Sequence, residues 1–256
     1  MITLLREIRK KLITEGRLSK YLIYAIGEIL LVVVGILIAL AINNWNEDRK
    51  DRAVEVVILD DLLNEFESNY EEFKKVYKFK SETKEKWANY LPQISDSKSS
   101  IETRSLSRPN NGAITLNISN SVLNSVLTSG TLDIITYDSL KYLVSSWNDH
   151  LEAYKEIESR HINLVENNLR QYEIKNRIIK DYKGLQFSFD NPFFDSTTKQ
   201  ENLQRMIKMN EDLEYQNLLM LNFMWLHLIN QRCEALDTRF KEIISALTNE
   251  LKSKTK

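Results

Sequence analysis

The chain has 256 residues but only 6 Gly and 3 Pro, where average usage of about 12% for the two together would give roughly 31. That scarcity excludes β-sandwiches and barrels, which need a turn about every ten residues, and glycine-lined phosphate loops, and it predicts an all-α fold. A hydrophobic content of 43%, a charged content of 28% and a net charge of −1 exclude a disordered tail or a basic nucleic-acid binder as the whole chain, so no nucleic-acid partner is expected.

Residues 1–20 form a basic segment. Arg6, Arg9, Lys10, Lys11, Arg17 and Lys20 face only Glu7 and Glu15, and Ile2, Leu5, Ile8, Leu12 and Ile13 recur at helical spacing. Two readings fit. Either the segment lies in the plane of the cytoplasmic leaflet with Arg6, Arg9, Lys10 and Lys11 at anionic head groups, or its charges serve only to set topology.

From Tyr21 to Ile42 the chain reads YLIYAIGEILLVVVGILIALAI, 22 residues whose one ionisable side chain is Glu28. Twenty apolar helical residues span about 30 Å of hydrocarbon. Glu47, Asp48, Arg49, Lys50, Asp51 and Arg52 after the span cancel in charge. The positive-inside rule therefore places the N-terminus in the cytoplasm and the remainder outside. Residues 21–45 are expected to be a retained signal anchor, with Trp45 as its interfacial anchor. The rival is a signal peptide cleaved at Ala39-Leu40-Ala41. Glu28, Gly35, Ala39 and Asn46 fall within about 20° of one helical line, and Gly35-x-x-x-Ala39 would let a second helix approach closely. Glu28, Gly35 and Ala39 are thus candidates for packing inside the membrane; the competing reading leaves Glu28 near the inner head groups.

The block YLIYAIGEILLVVVGILIALAINNWNE, preceded by LLREIRKKLITEGRLSKY, resembles the opening of a large bacterial family of uncharacterised single-pass membrane proteins known as a domain of unknown function. A Leu-Thr-Ser-Gly-Thr-Leu-Asp-Ile-Ile stretch at 127–135 and a helical C-terminus are similar in kind. The resemblance implies an envelope protein with an exported helical domain; with the charge asymmetry, the expected location is the bacterial inner membrane with that domain periplasmic. The resemblance supplies no activity and no catalytic residues.

Residues 46–256 are expected to be that domain, an antiparallel bundle of long helices. From Asn43 to Leu91 there is no Gly or Pro, and Val54, Ile58, Leu62, Phe66, Phe73, Val76, Tyr77 and Trp87 mark one apolar face. Pro92 is expected to end this helix. Asp60, Asp61, Glu65, Glu67, Glu71 and Glu72 read as its solvated face. The polar loop 93–113 follows, then a short helix carrying Val122, Leu123, Val126 and Leu127, closed by Gly130.

Asp138 to Tyr182 carries a coiled-coil-like seam of Leu140, Val144, Trp147, Leu151, Tyr154, His161, Val165, Leu169 and Tyr172. This helix is expected to return toward the membrane. Gly184 stops it, and a turn holding Phe187, Phe189, Phe193 and Phe194 follows. Those four Phe residues either plug the bundle end or contact lipid or a partner. A final helical region from about Thr198 to Lys252 is expected to split near Glu211-Asp212, with Cys233, Leu236, Phe240, Ile243, Leu247 and Leu251 on its seam. Leu218 to Ile229, apolar on all sides, reads as a helix buried among others or at an oligomer contact, and is too short for a second span.

Signatures of hydrolases, zinc peptidases, P-loops and CxxC sites are absent from the sequence. Glu158-x-x-His161 matches half of a di-iron pattern. His161 lies on the apolar seam, where a hydrogen-bonded core histidine is expected. Cys233 reads as a small buried hydrophobe, so no metal, no cofactor and no catalytic residue are assigned. The leading expectation is a non-enzymatic envelope protein whose bundle binds a membrane-protein partner or associates with itself as a homo-oligomer. A sensor bundle binding a small-molecule ligand is the alternative, and an envelope enzyme is disfavoured.

Overall fold

The computed structural model describes residues 18–95, 109, 114–176 and 199–254, and every regular element among them is helical. The chain divides into two units, Met1–Val57 and Ile58–Lys256. Helix α1, Leu18–Ser95, contributes residues to both. In the second unit follow α2 (Ser121–Ser129), a 3-10 turn (Thr131–Ile134), α3 (Asp138–Ser145), α4 (Trp147–Leu164), a π turn (Val165–Leu169), α5 (Arg170–Asn176), α6 (Lys199–Glu211) and α7 (Leu213–Lys254). Phe187, Phe189, Phe193 and Phe194, the break at Gly184, and Arg6, Arg9, Lys10 and Lys11 lie outside the described residues.

In the first unit, α1 is a bare apolar helix. Its side chains from Leu22 to Ile42 are almost all open to the surroundings among the described residues, Leu31 at 73% and Ile29 at 64%. One helix among the described residues is long and apolar enough to cross a membrane. A Cβ placed on Gly35 would meet no atom within 4 Å. Ala39 is exposed and Glu28 half-buried. Trp45 is also exposed, with the Arg49 guanidinium 5.7 Å from its ring centre.

The second unit is a bundle of α1, α4 and α7. The apolar faces anticipated from periodicity are buried over most of their length: Leu62, Phe66, Phe73, Val76 and Trp87 on α1, the whole seam from Leu140 to Tyr172, and Cys233 to Leu247 on α7, whereas Val54 is exposed and Ile58, Tyr77 and Leu251 are half-buried. Rings lock the centre, Trp147 lying 4.5 Å from Phe240 and 5.1 Å from Phe66.

Chain direction corrects one expectation. Phe66 meets Trp147 and Lys80 meets Glu158, so α1 and α4 run the same way. Tyr70 meets Asp237 and Lys80 meets Asn230, so α7 runs against both. Residues 138–176 do not make the return run; among the described residues it is the irregular stretch 114–120 that runs back along α1. Leu116 in that stretch lies against Glu158, and Ser119 against Asn69. The count of up and down helices that put the Phe-rich turn near the membrane therefore loses its basis.

Other boundaries differ for local reasons. Pro92 does not end α1, which runs to Ser95; in the last turn a proline costs only a backbone bond that is about to be lost anyway. The 138–182 segment is not one rod. α3 stops at Ser145 and α4 begins at Trp147, with Ser146 Oγ donating to the Tyr142 carbonyl at 2.7 Å at the break, and the π turn at Val165–Leu169 widens the run again. The split at Asp212 and the glycine cap occur as the sequence suggests, with Gly130 at φ 77°.

Glu65 is not merely a solvated acid. Asn120 provides no side-chain cap for α2, and Glu65 supplies it from across the bundle. Its carboxylate accepts the Val122 and Leu123 amides, each at 2.9 Å, and the Ser121 hydroxyl at 3.0 Å. Asp60, Asp61, Glu67 and Glu71 do face solvent. Glu65→Ala is expected to cost about 1–2 kcal/mol, read as a lower urea midpoint for the whole chain in detergent, with Glu65→Gln losing less; an unchanged midpoint for Ala would show that α2 does not depend on this cap.

Candidate functional site

Polar residues placed on apolar faces are where this bundle departs from simple packing. Lys80 interrupts the buried line of α1 between Val76 and Trp87. Glu158 and His161 interrupt α4, and Asn222 and Asn230 interrupt α7; all five are buried.

They form one layer. The Lys80 ammonium lies 3.1 Å from Glu158 Oε1, with side-chain exposures of 3% and 6%. The Tyr154 hydroxyl donates to the same oxygen at 2.8 Å, and the Leu116 amide donates to Oε2 at 3.3 Å. Asn230 donates to the Lys80 carbonyl at 3.3 Å and to Leu226 at 2.8 Å. His161 Nε2 and Asn222 Oδ1 are 2.8 Å apart; the amide oxygen is an acceptor, so this nitrogen carries the proton.

Enclosure shifts three titratable groups in and beside the layer. Burial lowers the His161 pKa, and the nearby Lys80 charge adds to this, so the ring is neutral at pH 7. Burial pushes the Cys233 thiol up to about 12, which leaves it protonated and unreactive. Tyr154 is raised by burial and then by the charge of Glu158, and it stays a hydroxyl. Glu158 and His161 share a face, as their spacing implies, but their atoms are committed to different partners. Among the described residues no group of three or more His, Cys, Asp or Glu could hold a metal. The layer offers a charge-paired interior, not an exposed nucleophile or base.

The sequence named Glu158, His161 and Cys233 but not Lys80, Asn222 or Asn230 as partners. The signal was present: Lys80 stands four residues after Val76 and seven after Phe73, on the line reserved for core residues.

Lys80→Met leaves a buried carboxylate without its counter-charge and is expected to cost about 3–5 kcal/mol, whereas Lys80→Met/Glu158→Leu should recover most of that loss; a double variant as unstable as the single would refute the pairing. Because the folded His161 pKa is depressed, the unfolded chain takes up more protons as pH falls. Stability is therefore expected to fall below about pH 6.5. Urea midpoints at pH 7 and pH 5 should draw closer in His161→Gln than in the wild type, and an equal gap in both would show that His161 is not the titrating group.

Neither a curated protein nor a solved structure matches the chain. A model of a family of unknown function (DUF6090) matches residues 28–224, a stretch that takes in the apolar helix from Glu28 onward, Lys80, Glu158, His161 and Asn222. The chain belongs to that family of unknown function, DUF6090.

Proposed function

We propose that the protein is a non-enzymatic, single-pass inner-membrane protein that works by self-association of its periplasmic bundle. In this reading residues 21–45 are a retained signal anchor, the N-terminus is cytoplasmic, and Arg6, Arg9, Lys10 and Lys11 sit at the inner leaflet. The uncovered apolar side chains of α1 support the anchor, since large apolar surfaces left bare in water are unfavourable. The basic charge ahead of the span supports the orientation.

Self-association rests on one observation. Residues 216–231 of α7 contain no Asp, Glu, Lys or Arg. Their buried face is Leu219, Asn222, Leu226 and Ile229, while Met220 at 58%, Leu221 and Met224 are exposed. Of the two expectations for this stretch, burial among other helices holds for one face only, and the oligomer contact is the reading that the open face leaves. The occupant of the open face is a second copy of the chain. A two-fold interface sets a surface against itself, and a charged face would then oppose like charges; this one carries none, with Gln216, Asn217 and Gln231 able to pair across it. A membrane-protein partner and a small-molecule sensor are the other readings of the bundle, and neither has a comparable feature in its favour.

Sedimentation of the full chain in mild detergent is expected to give a dimer, and Met220→Glu/Met224→Glu a monomer of unchanged helicity. A monomeric wild type, or a dimer that survives the double substitution, would overturn the assignment. So would loss of the dimer in Gly35→Ile alone, which would move the contact to the membrane helix.

A further inference from the structure

A cavity of about 450 Å³ opens between α5 and α6. It is lined by three cations, Lys175, Arg205 and Lys208. All three are exposed, and none forms an ion pair among the described residues. The clustering, rather than the lack of ion pairs, sets the three apart: Arg170 pairs with Glu166, Arg160 with Glu156 and Lys241 with Asp237, but Lys84, Lys86, Arg232 and Lys252 form no ion pair among the described residues either. It also runs against the charge of the chain beyond Glu28, which is net −4.

The one acid in the lining is committed. Asp212 accepts the Glu214 amide at 2.7 Å, capping α7, and accepts the Tyr172 hydroxyl. Lys175 and Lys208 stand in the last turns of α5 and α6, where the carbonyl ends of the helices favour positive charge. Among the described residues the lining therefore holds three cations against one carboxylate, Asp212, whose hydrogen bonds come from neutral donors and leave its charge in place.

We propose that this cavity binds the phosphate group of a small phosphate ester. Three cations and the side-chain amides of Asn176 and Gln204 offer more donors than the two oxygens of a carboxylate can use, while a phosphate group presents enough acceptors for them. The Arg205 fork suits two phosphate oxygens, and the lysines act as point charges. The organic part of the ester meets Tyr172 and Met209, both buried, with Tyr172 braced by Tyr215 at a ring separation of 5.2 Å. The volume is that of a small-molecule site. A free phosphate ester and a lipid headgroup share this chemistry.

The test is titration calorimetry of the full chain in uncharged detergent at low salt, with glycerol 1-phosphate and inorganic pyrophosphate as probes. Saturable binding is expected, weakened about tenfold or more by Arg205→Gln and by Lys208→Gln and left unchanged by Lys252→Gln, a control outside the cavity. All three side chains are exposed, so thermal unfolding should match the wild type and separate lost binding from lost fold. No saturable binding, or binding equally insensitive to all three substitutions, would overturn the proposal. Competition by phosphatidylglycerol vesicles but not phosphatidylcholine vesicles would identify a headgroup as the source, and no competition by either would identify a soluble ester; both results support the site.

Discussion

A carboxylate out of reach of water must find its donors inside the protein, and that requirement at Glu158 organises the bundle. Its two oxygens take an ammonium from α1, a hydroxyl from its own helix and a main-chain amide from the irregular return segment. Sliding either helix by one residue would strand a buried charge, at a penalty of several kcal/mol. Apolar side chains alone would tolerate such a slip far better, because one leucine packs much like another. Glu158 therefore sets the register of α4 against α1 and fixes where the chain between 114 and 120 lies.

That segment is the least regular part of the described interior, and buried side chains answer its main-chain polarity. Asn69 serves both polar groups of Ser119, donating to its carbonyl at 2.5 Å and accepting its amide at 3.0 Å. Glu158 serves Leu116, and Glu65 serves the first amides of α2. A helix meets its own main-chain demands, whereas irregular chain packed against helices depends on its neighbours. The polar layer also separates two apolar clusters. One is built around Phe66, Trp147 and Phe240, the other around Trp87, Tyr172, Tyr215 and Leu219. The division makes the unit two stacked cores joined by a hydrogen-bonded floor.

Periodicity made most of the helical fold legible. The seam from Leu140 to Tyr172 and that from Cys233 to Leu247 are buried because a repeat of threes and fours leaves a helix one apolar side to hide. The direction of α4 was not legible, because helix length and polarity do not say whether a connection is a tight turn or a full-length return. The break at Ser146 was hidden as well: a hydroxyl residue in a helical run fits a continuous helix as readily as a broken one, and Thr238 and Thr248 make the same back-bond inside an unbroken α7. Of the polar layer, Glu158 and His161 stood out by their spacing. Lys80 lay on the core line too, but its partner and that of Asn230 were not legible, since only the residue opposite decides what a lysine or asparagine on an apolar stripe bonds to. The cations of the α5–α6 cavity lie on two helices separated in sequence, and only the tertiary structure brings them together.

The opposed run of α7 bears on how the chain reaches this state. The tie between Lys80 and Asn230 closes 150 residues of sequence and that between Tyr70 and Asp237 closes 167. Phe240 is the ring on which Phe66, Phe73 and Trp147 converge, and it is made after all three of them. During synthesis α1 and α4 are therefore complete while the wall that covers them is still missing, leaving an open aromatic trough. Closure of such long loops is entropically slow, and a trough of this kind is a surface on which nascent chains aggregate. The length of the wait is set by where Phe240 falls in the sequence, and no strengthening of the packing around it would shorten that interval.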